Sequence, residues 1–121
     1  MSVIVKDNGF GIKNIIINEP KTYNSLSFKT LNILINIFRR LENDNKTRVI
    51  ILSGNGKGFS AGHNLKEVKN LKVRSKYLKL FNLCSKLMLN IVEGRKPVIA
   101  KVHGSAFAAG CQLAASCDLA Y

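Results

Sequence analysis

The stretch that most constrains this chain is Lys96 to Tyr121, KPVIAKVHGSAFAAGCQLAASCDLAY. Val98-Ile99-Ala100-Lys101-Val102 is a short apolar run closed by His103-Gly104, the pattern of a strand in the core of a sheet. Ser105 to Gly110 then carries almost no side-chain bulk except Phe107. Backbone can come close to a neighbour or a ligand there. Cys111 to Ser116 reads as the opening of a helix, with a second strand behind it. The first amides of a helix have no partner inside it. Behind a loop of Gly and Ala they are free to meet developing negative charge.

The rest of the chain supplies more strands and helices of the same kind. Val3-Ile4-Val5 and Ile12 to Asn18 are strand candidates around the turn Asp7-Asn8-Gly9. Pro20 ends the second, because it cannot donate to a ladder. A helix is predicted from Ser25 or Ser27 to about Asn43, with Phe28, Leu31, Ile35 and Phe38 on one face. Arg48 to Ser53 is an uninterrupted apolar strand, as in a parallel sheet covered on both faces. Val68 to about Val92 reads as one long basic amphipathic helix, with Tyr77, Phe81, Cys84, Met88 and Ile91 as its apolar stripe. Its lysines read as a solvated face rather than a membrane-binding one. The order strand, strand, helix, strand, helix, strand, helix, strand implies an α/β architecture of repeated ββα-like turns.

At 121 residues the chain is at most one domain, and its hydrophobic content of 46% argues against disorder. No apolar run is long enough to span a bilayer. The first residues enter a strand pattern directly, with no signal peptide or presequence pattern, so an intracellular soluble protein is expected. Cys84, Cys111 and Cys117 sit in apolar patterns and read as reduced core thiols. His63 and His103 are far apart and no CxxC is present, so no metal site is expected. Net charge is +12, from 19 basic and 7 acidic residues. The lysines are scattered through every segment, which favours a compositional bias, with a phosphate-bearing ligand as the next reading.

Two stretches could carry chemistry. Gly58-Phe59-Ser60-Ala61-Gly62 matches G-x-S-x-G, the serine turn of α/β-hydrolases. That turn needs a strand running straight into the serine, and here Gly54 to Gly58 intervene. The other reading uses backbone. Ser60 to Asn64 and Ala106 to Gly110 are small-residue loops, each behind a buried strand. If the strands are neighbours, both loops leave the same sheet end, where ligands of open α/β sheets collect. Two N–H groups facing one point would polarise a carbonyl oxygen. The same pattern suits two tight turns with no ligand, and the residues alone do not choose.

FSAGHNLKEV, the Lys96–Tyr121 stretch and the opening INEPKTYNSLS together resemble the crotonase, or enoyl-CoA hydratase/isomerase, superfamily. The likeness covers nearly the whole chain in the right order. It implies a crotonase/ClpP-like α/β spiral of ββα units, of which residues 1–121 would be the N-terminal half, without the C-terminal helical trimerisation part. It implies an acyl-CoA thioester as substrate, no separate cofactor, and a trimer or hexamer of the full-length protein. The backbone amides of His63 and Ala109 would hold the thioester oxygen. Ala108 and Gly110 complete the triplet around Ala109, and Gly62 precedes His63. Ala61 and Leu65 would lie along the acyl-pantetheine path, and Lys21 near the CoA end. Gln112 stands where hydratases carry a glutamate that moves a proton, and an amide cannot do that work. The resemblance therefore also admits a non-catalytic acyl-CoA-binding or RNA-binding protein. It implies a mitochondrial setting, with a cytoplasmic one as the alternative.

Overall fold

The computed structural model describes residues 1–121. Five strands and four helices alternate along the chain. They are β1 (Val3–Asp7), β2 (Ile12–Ile17), α1 (Phe28–Glu42), β3 (Val49–Gly54), α2 (Leu65–Asn70), α3 (Arg74–Glu93), β4 (Val98–Ala100), α4 (Ala109–Ser116) and β5 (Leu119–Ala120). A 3-10 turn at Pro20–Thr22 joins β2 to α1.

The strands lie side by side in chain order in a single sheet. β1 and β2 are antiparallel; β2, β3, β4 and β5 are all parallel. Each parallel step needs a crossover, supplied in turn by α1, by α2 and α3, and by α4. The expected α/β order is what the chain adopts, with one ββα turn (β1, β2, α1) followed by single-strand βα turns instead of a repeat of ββα.

One core lies between the sheet and the helices. Ile15, Ile17, Ile50, Leu52, Val98 and Ala100 meet Leu31, Leu34 and Phe38 of α1 and Leu80, Leu87 and Ile91 of α3. β3 was expected to be covered on both faces, but its burial alternates, with Val49, Ile51 and Ser53 only half-buried. The core helices take up one face of the sheet, so an apolar run marks strand strength here rather than two-sided cover.

α1 starts where Ser27 Oγ accepts from Thr30 N at 3.1 Å. The N–H of Phe28, another orphan of that helix start, donates to Glu67 Oε1 at 3.0 Å. The β1–β2 turn is longer than its Asn-Gly suggests. Gly9, Phe10 and Gly11 all have positive φ, and the strands resume only at Ile12.

The single helix expected over 68–92 is two helices. Leu71 and Val73 are extended, and α2 starts earlier, at Leu65, where Asn64 Oδ1 accepts from the Lys66 and Glu67 amides. Val68 and Leu71 are partly buried against the core. The buried stripe of α3 is Leu80, Cys84, Leu87 and Ile91. Met88 is only half-buried and Phe81 is 46% exposed, so the expected stripe was rotated by part of a turn.

Candidate active site

β3 and β4 are parallel neighbours, with Ile50 opposite Val98 and Leu52 opposite Ala100. The loops that follow them therefore leave the same end of the sheet, and there they cross. Ser60 and Ala106 form a parallel bridge. The N–H groups of Phe59 and Ser60 both donate to Ser105 O, at 2.9 and 3.2 Å, and Phe107 N donates to Ser60 O at 3.0 Å. Phe59 is fully buried and pins the first loop to the core.

The crossing is backbone against backbone, and it leaves no room for side chains at its glycines. A Cβ on Gly110 would overlap Ser60 O and lie 2.9 Å from Ser60 Cβ. One on Gly62 would stand 3.0 Å from Phe107 O and 3.1 Å from Ala109 N. Gly62 also has a φ of 88°, which side chains rarely adopt. Ala108 pays for the same geometry without being glycine: its φ is 47° and its ψ −118°.

Two amides are left over at this crossing. Neither the N–H of His63 nor that of Ala109 donates to any carbonyl or side chain. Ala109 is the first residue of α4, whose start has no side-chain cap. Its amide therefore carries the positive end of that helix. His63 follows directly on Gly62, the residue whose α-carbon faces the Ala109 nitrogen. The two small-residue loops singled out in the sequence are thus brought together, with an unused donor on each.

Side chains hold the crossing from below. Asn24 is fully buried, and its Nδ2 donates to Asn55 O at 2.8 Å and to Gly58 O at 2.9 Å. Its Oδ1 accepts from Glu19 N at 2.8 Å. Ser60 is also fully buried. Its Oγ donates to Asn24 O at 2.8 Å and accepts from Gly62 N at 3.2 Å. That hydroxyl is engaged in tying the loop, and no histidine pairs with it, so the serine-hydrolase reading of Gly58 to Gly62 fails. Sequence reasoning missed the clamping roles of Asn24 and Ser60. The available signal for Asn24 was an Asn in a turn that needs positive φ, since its φ is 56°.

The remaining expected residues are spread around the crossing. Ala61 N donates to Tyr23 O at 2.8 Å, which ties the loop to the turn that carries exposed Lys21. Leu65 is 81% exposed at the start of α2. The His63 ring meets Phe81 of α3 edge-on, at 5.4 Å between centroids, and its buried Nδ1 has no partner. Gln112 lies on α4 three residues beyond Ala109 and is exposed. It lines a groove of about 660 Å³ with Met88, Leu89 and Val92 of α3. The side chain brings no acid to that groove. No cluster of ligands able to hold a metal is present.

The cysteines are all free thiols, but only Cys84 is buried in the core. Cys111 is exposed because it points away from the core on the first turn of α4, which corrects the expectation of three core thiols. Burial pushes Cys84 up, and burial followed by the Asp118 carboxylate pushes Cys117 up to about 12.

Comparison with known proteins gives the setting. The family model for enoyl-CoA hydratase/isomerase matches residues 7–121. Human mitochondrial enoyl-CoA hydratase domain-containing protein 3 is 44% identical over 110 residues, which is 91% of this chain and 36% of that protein. Its human crystal structure superposes with a TM-score of 0.93 at 41% identity, over 99% of this chain and 47% of the other. An enoyl-CoA hydratase of Mycobacterium smegmatis superposes with a TM-score of 0.96 at 42% identity, again over 99% and 47%. The chain spans less than half the length of these relatives. Its α/β spiral is the crotonase fold, and the chain belongs to the enoyl-CoA hydratase/isomerase family.

Proposed function

We propose that the protein binds acyl-CoA thioesters and polarises their carbonyl between the backbone amides of His63 and Ala109. Residues 1–121 form the N-terminal part of a crotonase core. The observation that carries this reading is the pair of unpartnered N–H groups on two loops locked together by the Ser60–Ala106 bridge. An enolate oxygen gains most from donors that are already fixed in place. The Gly62 and Ala108 geometry and the Asn24 clamp supply that fixing. Lys21 would meet the CoA end, and Ala61 and Leu65 would border the pantetheine arm. The chemistry is of the hydratase/isomerase kind, in the metabolism of fatty acyl groups. The full-length protein would act as a trimer or hexamer, and a mitochondrial setting follows from relatives of that name.

Replacing Ala109 by Pro tests the amide. It stands at the first residue of a helix, where Pro removes no intrahelical hydrogen bond, although its ring also constrains Ala108 before it. Thioester turnover by the full-length protein should fall about 100-fold or more, with the thermal midpoint checked alongside. His63→Ala keeps its amide and should retain much of the activity. Turnover that survives Ala109→Pro would overturn the assignment.

Gln112 favours a second reading, an acyl-CoA binder that does not hydrate. Its carboxamide transfers no proton at neutral pH. Hydration of crotonyl-CoA should appear or rise on Gln112→Glu if a lost acid is what limits the site. CoA-thioester binding with no product from either form would favour the binder.

A further inference from the structure

Phe107 to Gly110 form a reverse turn, closed by the N–H of Gly110, which donates to Phe107 O at 2.7 Å. The second residue of that turn, Ala108, holds φ 47° and ψ −118°. These are the angles of the first central position of a type II′ turn, where glycine belongs. An alanine there is strained, and glycine would relieve it. The turn does not relax by rotating the Ala108–Ala109 peptide, because Ala108 O accepts from Gln112 N at 3.0 Å in the first turn of α4. The methyl group fills no space in the core. Ala108 is exposed, while Ala109 and Gly110 beside it are buried. It faces the other loop. The Ala108 Cβ stands 3.5 Å, and the Ala109 nitrogen 3.1 Å, from where a Cβ on Gly62 would lie. His63 follows Gly62, so the methyl stands at the same point of the crossing as the two unused amides.

We propose that the Ala108 methyl sets the substrate class of this site: acyl groups with no branch at the α-carbon, the carbon next to the thioester carbonyl. The inference rests on the two-amide reading above. An oxygen held by the His63 and Ala109 amides brings two further atoms close to them, the sulfur and the α-carbon. The sulfur is the same in every CoA thioester. The α-carbon is where substrates differ, and a methyl fixed beside the donors leaves less room for a second carbon there. The two loops are tied by the Ser60–Ala106 bridge and by Phe107 N donating to Ser60 O at 3.0 Å, so they do not part to make that room. A strained residue whose side chain serves nothing in the fold has its use in what the site binds.

The test is calorimetric titration of the full-length protein, wild type and Ala108→Gly, with butyryl-CoA and with its isomer isobutyryl-CoA. The two acyl groups have the same carbon count and differ only in the branch. The wild type should bind butyryl-CoA about tenfold more tightly, the effect of about one misplaced methyl group, and Ala108→Gly should remove most of that preference. A less firmly held Ala109 amide would weaken both thioesters alike, so the ratio of affinities reads the methyl alone. Equal affinities in the wild type, or a preference that Ala108→Gly leaves intact, would overturn the proposal and leave the thioester reading standing. A lower thermal midpoint of Ala108→Gly would also overturn it, since protein would then be packed on the methyl. Failure of the wild type to bind either thioester would overturn the thioester reading itself, and this proposal with it.

Discussion

The loop crossing at residues 58–62 and 104–110 and the corner at residues 65–79 sit a few residues apart in the chain and obey opposite rules. In the crossing, peptide groups touch peptide groups: Gly104 and Gly110 face backbone closer than a Cβ allows, and Gly58 and Gly62 face it at a tight 3.0 to 3.2 Å. In the corner α2 buries no residue fully, and only Val68 and Leu71 pack partly against the core. The crossing spends conformational freedom to hold two amides still. The corner keeps its freedom and displays charge. Substitutions should therefore be costly in the first region and silent in the second, even when their chemistry is the same.

The largest effect is expected at Gly110. It lies inside α4, where replacing Gly by Ala in an open helix gains about 1 kcal/mol. Here the new methyl would overlap Ser60 O. Gly110→Ala should instead cost about 3 kcal/mol, read from the denaturant midpoint. Gly9 is the control. Its φ is 81° but nothing lies within 4 Å of a Cβ there, so Gly9→Ala should cost only about 1 kcal/mol. A loss at Gly110 no larger than that at Gly9 would mean that the overlap with Ser60 O relaxes at little cost.

Next comes Asn24. Its side chain fills three hydrogen bonds to Glu19, Asn55 and Gly58 in a fully buried place. Asn24→Ala strands those backbone groups and should cost about 2 kcal/mol. Hydrogen exchange should then rise across residues 55–62 before it rises in β3. A uniform rise over the whole chain would mean that Asn24 stabilises the fold without specifically holding the crossing.

How much of this could be read from the residues follows the same division. The strands and α1 were legible because their apolar spacing reports directly on the core, as in Val49–Leu52 and Leu31–Phe38. The two small-residue loops were legible as places of close approach, because bulk is absent there. The break at 71–73 was hidden, since Leu71 and Val73 continue an apolar pattern that a helix also satisfies. The rotated stripe of α3 was hidden for a related reason: Leu80 and Phe81, or Leu87 and Met88, are adjacent apolar residues, and only packing picks one. The family likeness named His63 and Ala109 as the oxyanion pair. The residues that lock their loops, Asn24 and Ser60, emerged only from hydrogen bonds linking positions 31 to 36 apart.

The smallest effects sharpen the comparison most, because they change sign. Ala108 holds φ 47° and ψ −118° with a methyl that reaches solvent and fills no cavity. Glycine there should relieve strain and raise stability by about 1 kcal/mol, despite its larger entropy when unfolded. In the corner, Leu65→Ser removes an exposed side chain from a helix start capped by Asn64, and should move stability by less than about 0.5 kcal/mol. Denaturant midpoints of the two variants measured together decide the matter. A loss at position 108 would mean that its methyl is held by a contact worth more than the strain. A loss at position 65 would mean that the start of α2 is packed in solution.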